Sequence, residues 1–150
     1  MQPKIDDTDM ALLDILQANA KARIHSIARK MGIPPSTVHH RIQRLEREGV
    51  IAGWTIRKNN SLIGLKMKAY VLVFVDLAVL AMAKRTQKDV AADLKKVPGV
   101  ESADIVTGDS DLLATVRCRD MEDFQAILLE RMQSIKGITK TKTMMVVSES

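Results

Sequence analysis

Between Ser36 and Arg47 the chain carries a hydrogen-bond donor at almost every position that is not aliphatic. Val38, Ile42 and Leu45 recur at the spacing of one helical stripe, which places Ser36, His40, Gln43, Arg44 and Arg47 opposite them and Thr37 and Arg41 at the flank, with His39 beside His40. Carboxylates enter only at the far end, as Glu46 and Glu48. Such a face suits double-stranded DNA. An arginine can grip guanine O6 and N7, a glutamine can pair with adenine, and hydroxyl, imidazole and guanidinium groups can hold phosphates. A solvated basic helix would carry the same residue types, and spacing alone leaves both readings open.

A second set lies in the other half of the chain. Gly108-Asp109-Ser110-Asp111 has the composition of a strand-joining turn. Its glycine frees the backbone, its amides could receive a carboxylate, and Asp109 or Asp111 could meet an ammonium group. Thr141 and Thr143, two residues apart, share one face of a strand and offer hydroxyls. Together they could receive a free amino acid, or form an ordinary hairpin turn.

Charge separates the two halves. Residues 1–60 hold ten Lys and Arg against six Asp and Glu, and residues 61–150 hold thirteen against twelve. A basic block in an otherwise balanced chain points to a polyanionic partner for that block alone. Only Trp54, Tyr70, Phe74 and Phe124 are aromatic, too few for the stacking platforms that single-strand binders use. The one cysteine, Cys118, allows no internal disulfide and no thiolate metal site. His39 and His40 are adjacent, so on a helix they diverge by about 100° and chelate poorly; His25 reads as structural. No P-loop, dinucleotide fingerprint or nucleophile motif is present. The expectation is a non-enzyme that needs no cofactor and no metal. The apolar stretch 69–83 is broken by Asp76 and is shorter than a membrane span. With no secretory signal in the first residues, a cytoplasmic location without membrane contact is expected.

Elements that could position these residues follow from periodicity. Helices are expected over 7–18, with Asp7 or Thr8 as cap, over 24–31, ended by Gly32, and over 36–48, ended by Gly49. The last two, joined by a short turn with Gly32 and Pro34-Pro35, form a helix-turn-helix. Val50 to Arg57 reads as a strand. Beyond the turn at Asn59-Asn60-Ser61 the pattern changes to strand 68–76, helix 86–97 with a Thr86/Asp89 capping box, strands 100–107 and 112–118, helix 121–135 and strand 138–147. That order, βαββαβ, is the ferredoxin-like arrangement. Leu77 to Ala83 could extend either the first strand or the helix after it. The fold class is α+β: a helix-turn-helix (winged-helix-like) domain over 1–52, a linker with strand over 53–67, and a ferredoxin-like domain over 68–150.

Several runs resemble the Lrp/AsnC family of feast/famine transcription regulators. They are Asp6-Asp7-x-Asp9, Ile27-Ala28-Arg29-Lys30-Met31-Gly32-Ile33, and Ser36-Thr37-Val38-x-x-Arg41-Ile42-x-Arg44-Leu45-Glu46-x-x-Gly49-Val50-Ile51. The second half adds Pro98-Gly99-Val100, Val106-Thr107-Gly108-Asp109-x-Asp111 and Gly137-Ile138-x-x-Thr141-x-Thr143. Pro34 stands where the family usually has a Ser or Thr cap, so either Ser36 caps the helix or Pro35 opens it. Ser110 replaces a usual aromatic.

The resemblance implies a sequence-specific regulator of transcription. Ser36, Thr37, His39, His40, Arg41, Gln43, Arg44 and Arg47 would face a pseudo-palindromic operator. The second domain would assemble homodimers or higher oligomers and take a small amino-acid effector at Gly108, Asp109, Asp111, Thr141 and Thr143. Two other readings remain at this point: an amino-acid-sensing module whose helical part binds protein, and a DNA-binding regulator without an effector.

Overall fold

A computed structural model describes residues 3–149. The chain divides into two compact units, Met1–Arg57 and Lys58–Ser150.

The first unit holds three helices: α1 (Asp7–Ala18), α2 (Ile24–Met31) and α3 (Pro35–Arg47). Asp6 caps α1: its side chain accepts from the Asp9 amide at 2.8 Å, and the Asp9 carboxylate accepts in return from the Asp6 amide at 3.1 Å. The cap is therefore one residue earlier than Asp7. Gly32 ends α2 at φ 66°, a left-handed geometry that glycine adopts without steric cost. Pro34 then precedes α3 in extended geometry and Pro35 is its first helical residue, where a proline gives up no hydrogen bond. Of the two starts left open, the structure takes Pro35, and Ser36 sits inside the first turn. Leu12, Leu16, Ile27, Ala28, Val38 and Leu45 form an all-aliphatic core, with Ile42, Val50 and Ile51 packed on it.

Val50 to Arg57 does not form the expected strand, and no ladder joins it to other described residues. The amides of Val50 and Ile51 turn back onto the Leu45 carbonyl, and the Trp54 indole donates to the Glu46 carboxylate at 2.8 Å. The segment closes the end of α3.

The second unit holds β1 (Met67–Val75), α4 (Leu77–Met82), α5 (Gln87–Lys96), β2 (Val100–Ile105), β3 (Leu112–Cys118), α6 (Met121–Gln125) and β4 (Ile138–Met145). The strands form an antiparallel sheet in the order β2-β3-β1-β4, as the βαββαβ reading requires. Alternate residues of β1, namely Ala69, Val71 and Val73, are fully buried in a core with Leu94, Ala114, Phe124 and Ile127. Tyr70, Leu72 and Phe74 point to the opposite face, where they are half-buried.

Leu77 to Ala83 extends neither neighbour. Asp76 caps it as a separate short helix by accepting from the amides of Ala78 and Val79 at 2.8 and 3.1 Å, and Leu80 plugs the core. The Thr86/Asp89 box closes as the sequence predicts. The helix expected over 121–135 changes character: α6 gives way to a π-helical stretch, Ala126–Met132, which places Ile127 and Met132 in the core.

Candidate functional site

On α3 the structure sorts the eight expected donors into two groups. Ser36, His39, His40, Gln43 and Arg47 are exposed. Ser36, His40, Gln43 and Arg47 form one stripe at i, i+4, i+7 and i+11, diametrically across the helix from Leu45 and Val38. The His39 and His40 ring centres lie 6.1 Å apart with the rings tilted by 57°. Glu46, the one carboxylate beside this stripe, is engaged by Trp54.

Thr37, Arg41 and Arg44 are half-buried on the flank that faces α1. Arg44 thereby leaves the exposed stripe on which its spacing had put it. Its Nη2 donates to Asp9 Oδ2, and Arg41 Nη1 donates to Asp9 Oδ1 at 2.7 Å and to both Asp6 oxygens at 2.9 and 2.8 Å. Asp9 is completely buried. A buried carboxylate is tolerated only when paired, and removing its partners typically costs about 3–5 kcal/mol. The Arg41 guanidinium in turn holds the Asp6 carboxyl below its usual range. The same two aspartates thus close the α1 cap and clamp α3, so the helix that carries the donor stripe is fixed at a defined rotation by charge as well as by Val38 and Leu45.

Asp6 and Asp9 were not among the expected site residues. They lie 32 to 35 residues from their arginines, beyond any local spacing. The excess of basic residues within 21–60 was the available signal, because cations buried against a helical neighbour require anions from elsewhere in the fold.

The effector set is less convergent. Gly108 and Asp109 are exposed at the tip between β2 and β3, with Gly108 at φ 131°. Asp111 is occupied: Oδ2 accepts from the Val75 amide at 2.9 Å and Oδ1 from Gln87 Nε2 at 3.0 Å, pinning the hairpin to β1 and α5. Thr141 pairs in register with Val73, Thr143 with Val71, and the Thr141 hydroxyl accepts from Gln133 Nε2 at 2.8 Å. The two threonines share a face of β4, as expected. They sit two strands away from β3, the strand that follows Asp111.

Comparison with known proteins decides the family. Residues 69–150 match the Lrp/AsnC ligand binding domain, and residues 5–52 match the winged helix-turn-helix DNA-binding domain. The chain belongs to the Lrp/AsnC family. It is 40% identical over 144 residues to an uncharacterised HTH-type transcriptional regulator of Pyrococcus furiosus, covering 96% of this chain and 93% of that one. It is 31% identical over 147 residues to the HTH-type transcriptional regulator FL11 of the same organism, covering 98% and 92%. Among solved structures, a transcriptional regulator of Neisseria meningitidis in complex with L-Met superposes with a TM-score of 0.87 at 25% identity, over 97% of this chain and 92% of that one. As a member of the Lrp/AsnC family, the chain is a DNA-binding transcription regulator with an α+β fold. No helix among the described residues is long and apolar enough to cross a membrane.

Proposed function

We propose that this Lrp/AsnC regulator reads a pseudo-palindromic operator with Ser36, His40, Gln43 and Arg47, with His39 at the edge of the same surface, and has no catalytic activity. One observation carries the reading: a continuous exposed run of donors along α3, uninterrupted by carboxylate and backed by a helix locked against α1. Gln43 at the middle of the run is suited to a base edge, and Ser36 and Arg47 at its two ends to backbone phosphates. Arg41 and Arg44 position this surface rather than complete it, with Thr37 half-buried on the same flank.

The unit Lys58–Ser150 brings two such helices together. The half-buried apolar side chains Tyr70, Leu72, Phe74 and Leu113 on the sheet face away from the helices support assembly of two copies face to face. A dimer would set its two α3 helices on successive major-groove faces about 34 Å apart. The same unit takes a free amino acid. The exposed Gly108 amide and Asp109 carboxylate are suited to its two charged groups, while Asp111 and Thr141 shape the site through the bonds they already make. An effector shifts DNA affinity only by its differential affinity for two assemblies.

The test is selection of bound duplexes from a random pool, with and without a mixture of the standard amino acids. A two-fold symmetric consensus whose occupancy changes with the mixture is expected. An unenriched pool would overturn the operator reading, and an unaltered selection and assembly state would overturn the effector.

A further inference from the structure

The four charges that join α1 to α3 sum to zero. Asp6 and Asp9 face Arg41 and Arg44 across 2.7–2.9 Å contacts and the closer Arg44–Asp9 pair. Of the three arginines of α3, Arg47 alone is exposed and, among the described residues, outside any ion pair. An arginine that left Asp9 for a phosphate would take one of two cations from a carboxylate with no exposed surface, a more costly event than the gain of one solvated phosphate contact. Asp6, half-exposed and accepting from the same Arg41 nitrogen, adds a second hold on that side chain.

We propose that Asp9 and Asp6 are specificity-determining positioning residues: they withhold Arg41 and Arg44 from the DNA backbone and leave discrimination to the donors of the exposed stripe. Phosphate attraction is indifferent to sequence, and each phosphate neutralised by a cation steepens the salt dependence of binding by about 0.9 in log–log slope. A helix that spent all three arginines on phosphates would hold random duplex more tightly and separate operator from random sequence less well. The pairing keeps the attraction low while preserving the rotation at which Gln43 and His40 meet the groove. This inference rests on the DNA-binding reading above.

The experiment uses the full chain and a random-sequence duplex, titrated between 50 and 200 mM KCl, with folding followed by circular dichroism. Arg44→Gln is expected to leave the slope at its wild-type value, because Arg41 still pairs with Asp9 and Arg44 makes no phosphate contact to lose. Asp9→Asn, where it folds, leaves Arg44 without its carboxylate while Asp6 still holds Arg41, and is expected to steepen the slope by up to about 0.9 per DNA-binding head, an extra loss of about threefold over this salt range; Asp6→Asn leaves the buried Asp9 holding both arginines and is expected to keep the wild-type slope. Asp14→Asn makes the same change of charge at an exposed site on α1 and is expected to leave the slope unaltered. A slope that falls by about 0.9 per head in Arg44→Gln would overturn the inference, since that arginine would already hold a phosphate. An unchanged slope in folded Asp9→Asn would overturn it too. Wild-type chain that binds no duplex at the lowest salt would overturn the DNA-binding reading itself, and the inference with it.

Discussion

Asp9 of α1 has no exposed surface, and Arg41 of α3 donates to it at 2.7 Å from 32 residues further along the chain. A residue of the α1 cap thereby sets the position of α3, the helix proposed above to meet DNA, so that stability and the proposed recognition share one ion-pair network.

Asp9→Ala removes the partner of two half-buried guanidinium groups. It is expected to lower the stability of the helical unit by about 3–5 kcal/mol. Asp6→Ala loses an N-cap and one arm of the Arg41 bond at a half-exposed site, and about 1 kcal/mol is expected. Urea unfolding followed by the fluorescence of Trp54, the only tryptophan and a residue of this unit, checks both. Equal effects from the two substitutions would contradict the burial argument.

Gly137 and Gly64 both have positive φ, 102° and 82°, but only one is crowded. A Cβ on Gly137 would collide with a methyl of Leu80, which is itself buried, whereas a Cβ on Gly64 would meet nothing within 4 Å. Gly137→Ala is expected to add overpacking of about 1–3 kcal/mol to the backbone strain of about 1–2 kcal/mol that Gly64→Ala also incurs. Thermal melting of the two variants gives the comparison.

Glu149 is held at about 2 by hydrogen bonds from Arg117 first and Lys68 second. Its value in the folded chain lies below the ordinary 4.5, so its contribution to stability is complete above that value and fades as pH falls from there through about 2. Glu149→Gln should therefore be less stable than wild type at pH 7, with the difference closing towards pH 2. Denaturation midpoints across that range test it; a difference that widens on acidification would contradict the pairing.

Arg47→Ala is expected to reduce the salt slope of DNA binding by about 0.9 per head while leaving sequence preference intact. A salt titration on one selected and one random duplex measures this directly. A changed consensus with an unchanged slope would reverse the roles given to Arg47 and Gln43.

Much of the fold was legible in local pattern. The stripe of Val38, Ile42 and Leu45 depends on neighbours a turn away, as do the Thr86/Asp89 box and the Gly32 cap, and such signals survive in sequence. The failures have a different range. Val50 to Arg57 has strand composition, but a strand needs a partner edge, and the amides of Val50 and Ile51 are instead claimed by the end of α3. Leu77 to Ala83 was ambiguous because its helix is a single short run whose stability comes from the Asp76 cap and from Leu80 in the core. On α3, residue types were readable, and period places Ser36, His40, Gln43 and Arg47 on the exposed side where the structure has them. The diversion of Arg41 and Arg44 was not readable, because it depends on carboxylates brought near by the tertiary fold.

Gln43 offers the most direct test, since it lies at the centre of the exposed stripe and carries no charge. Operator sequences selected from a random duplex pool by wild type should be bound by Gln43→Ala with a loss of about 1–3 kcal/mol, and selection repeated with that variant should relax at one base pair in each half-site. Undiminished affinity and the same consensus from a folded Gln43→Ala chain would contradict the assignment of this face of α3 to the major groove.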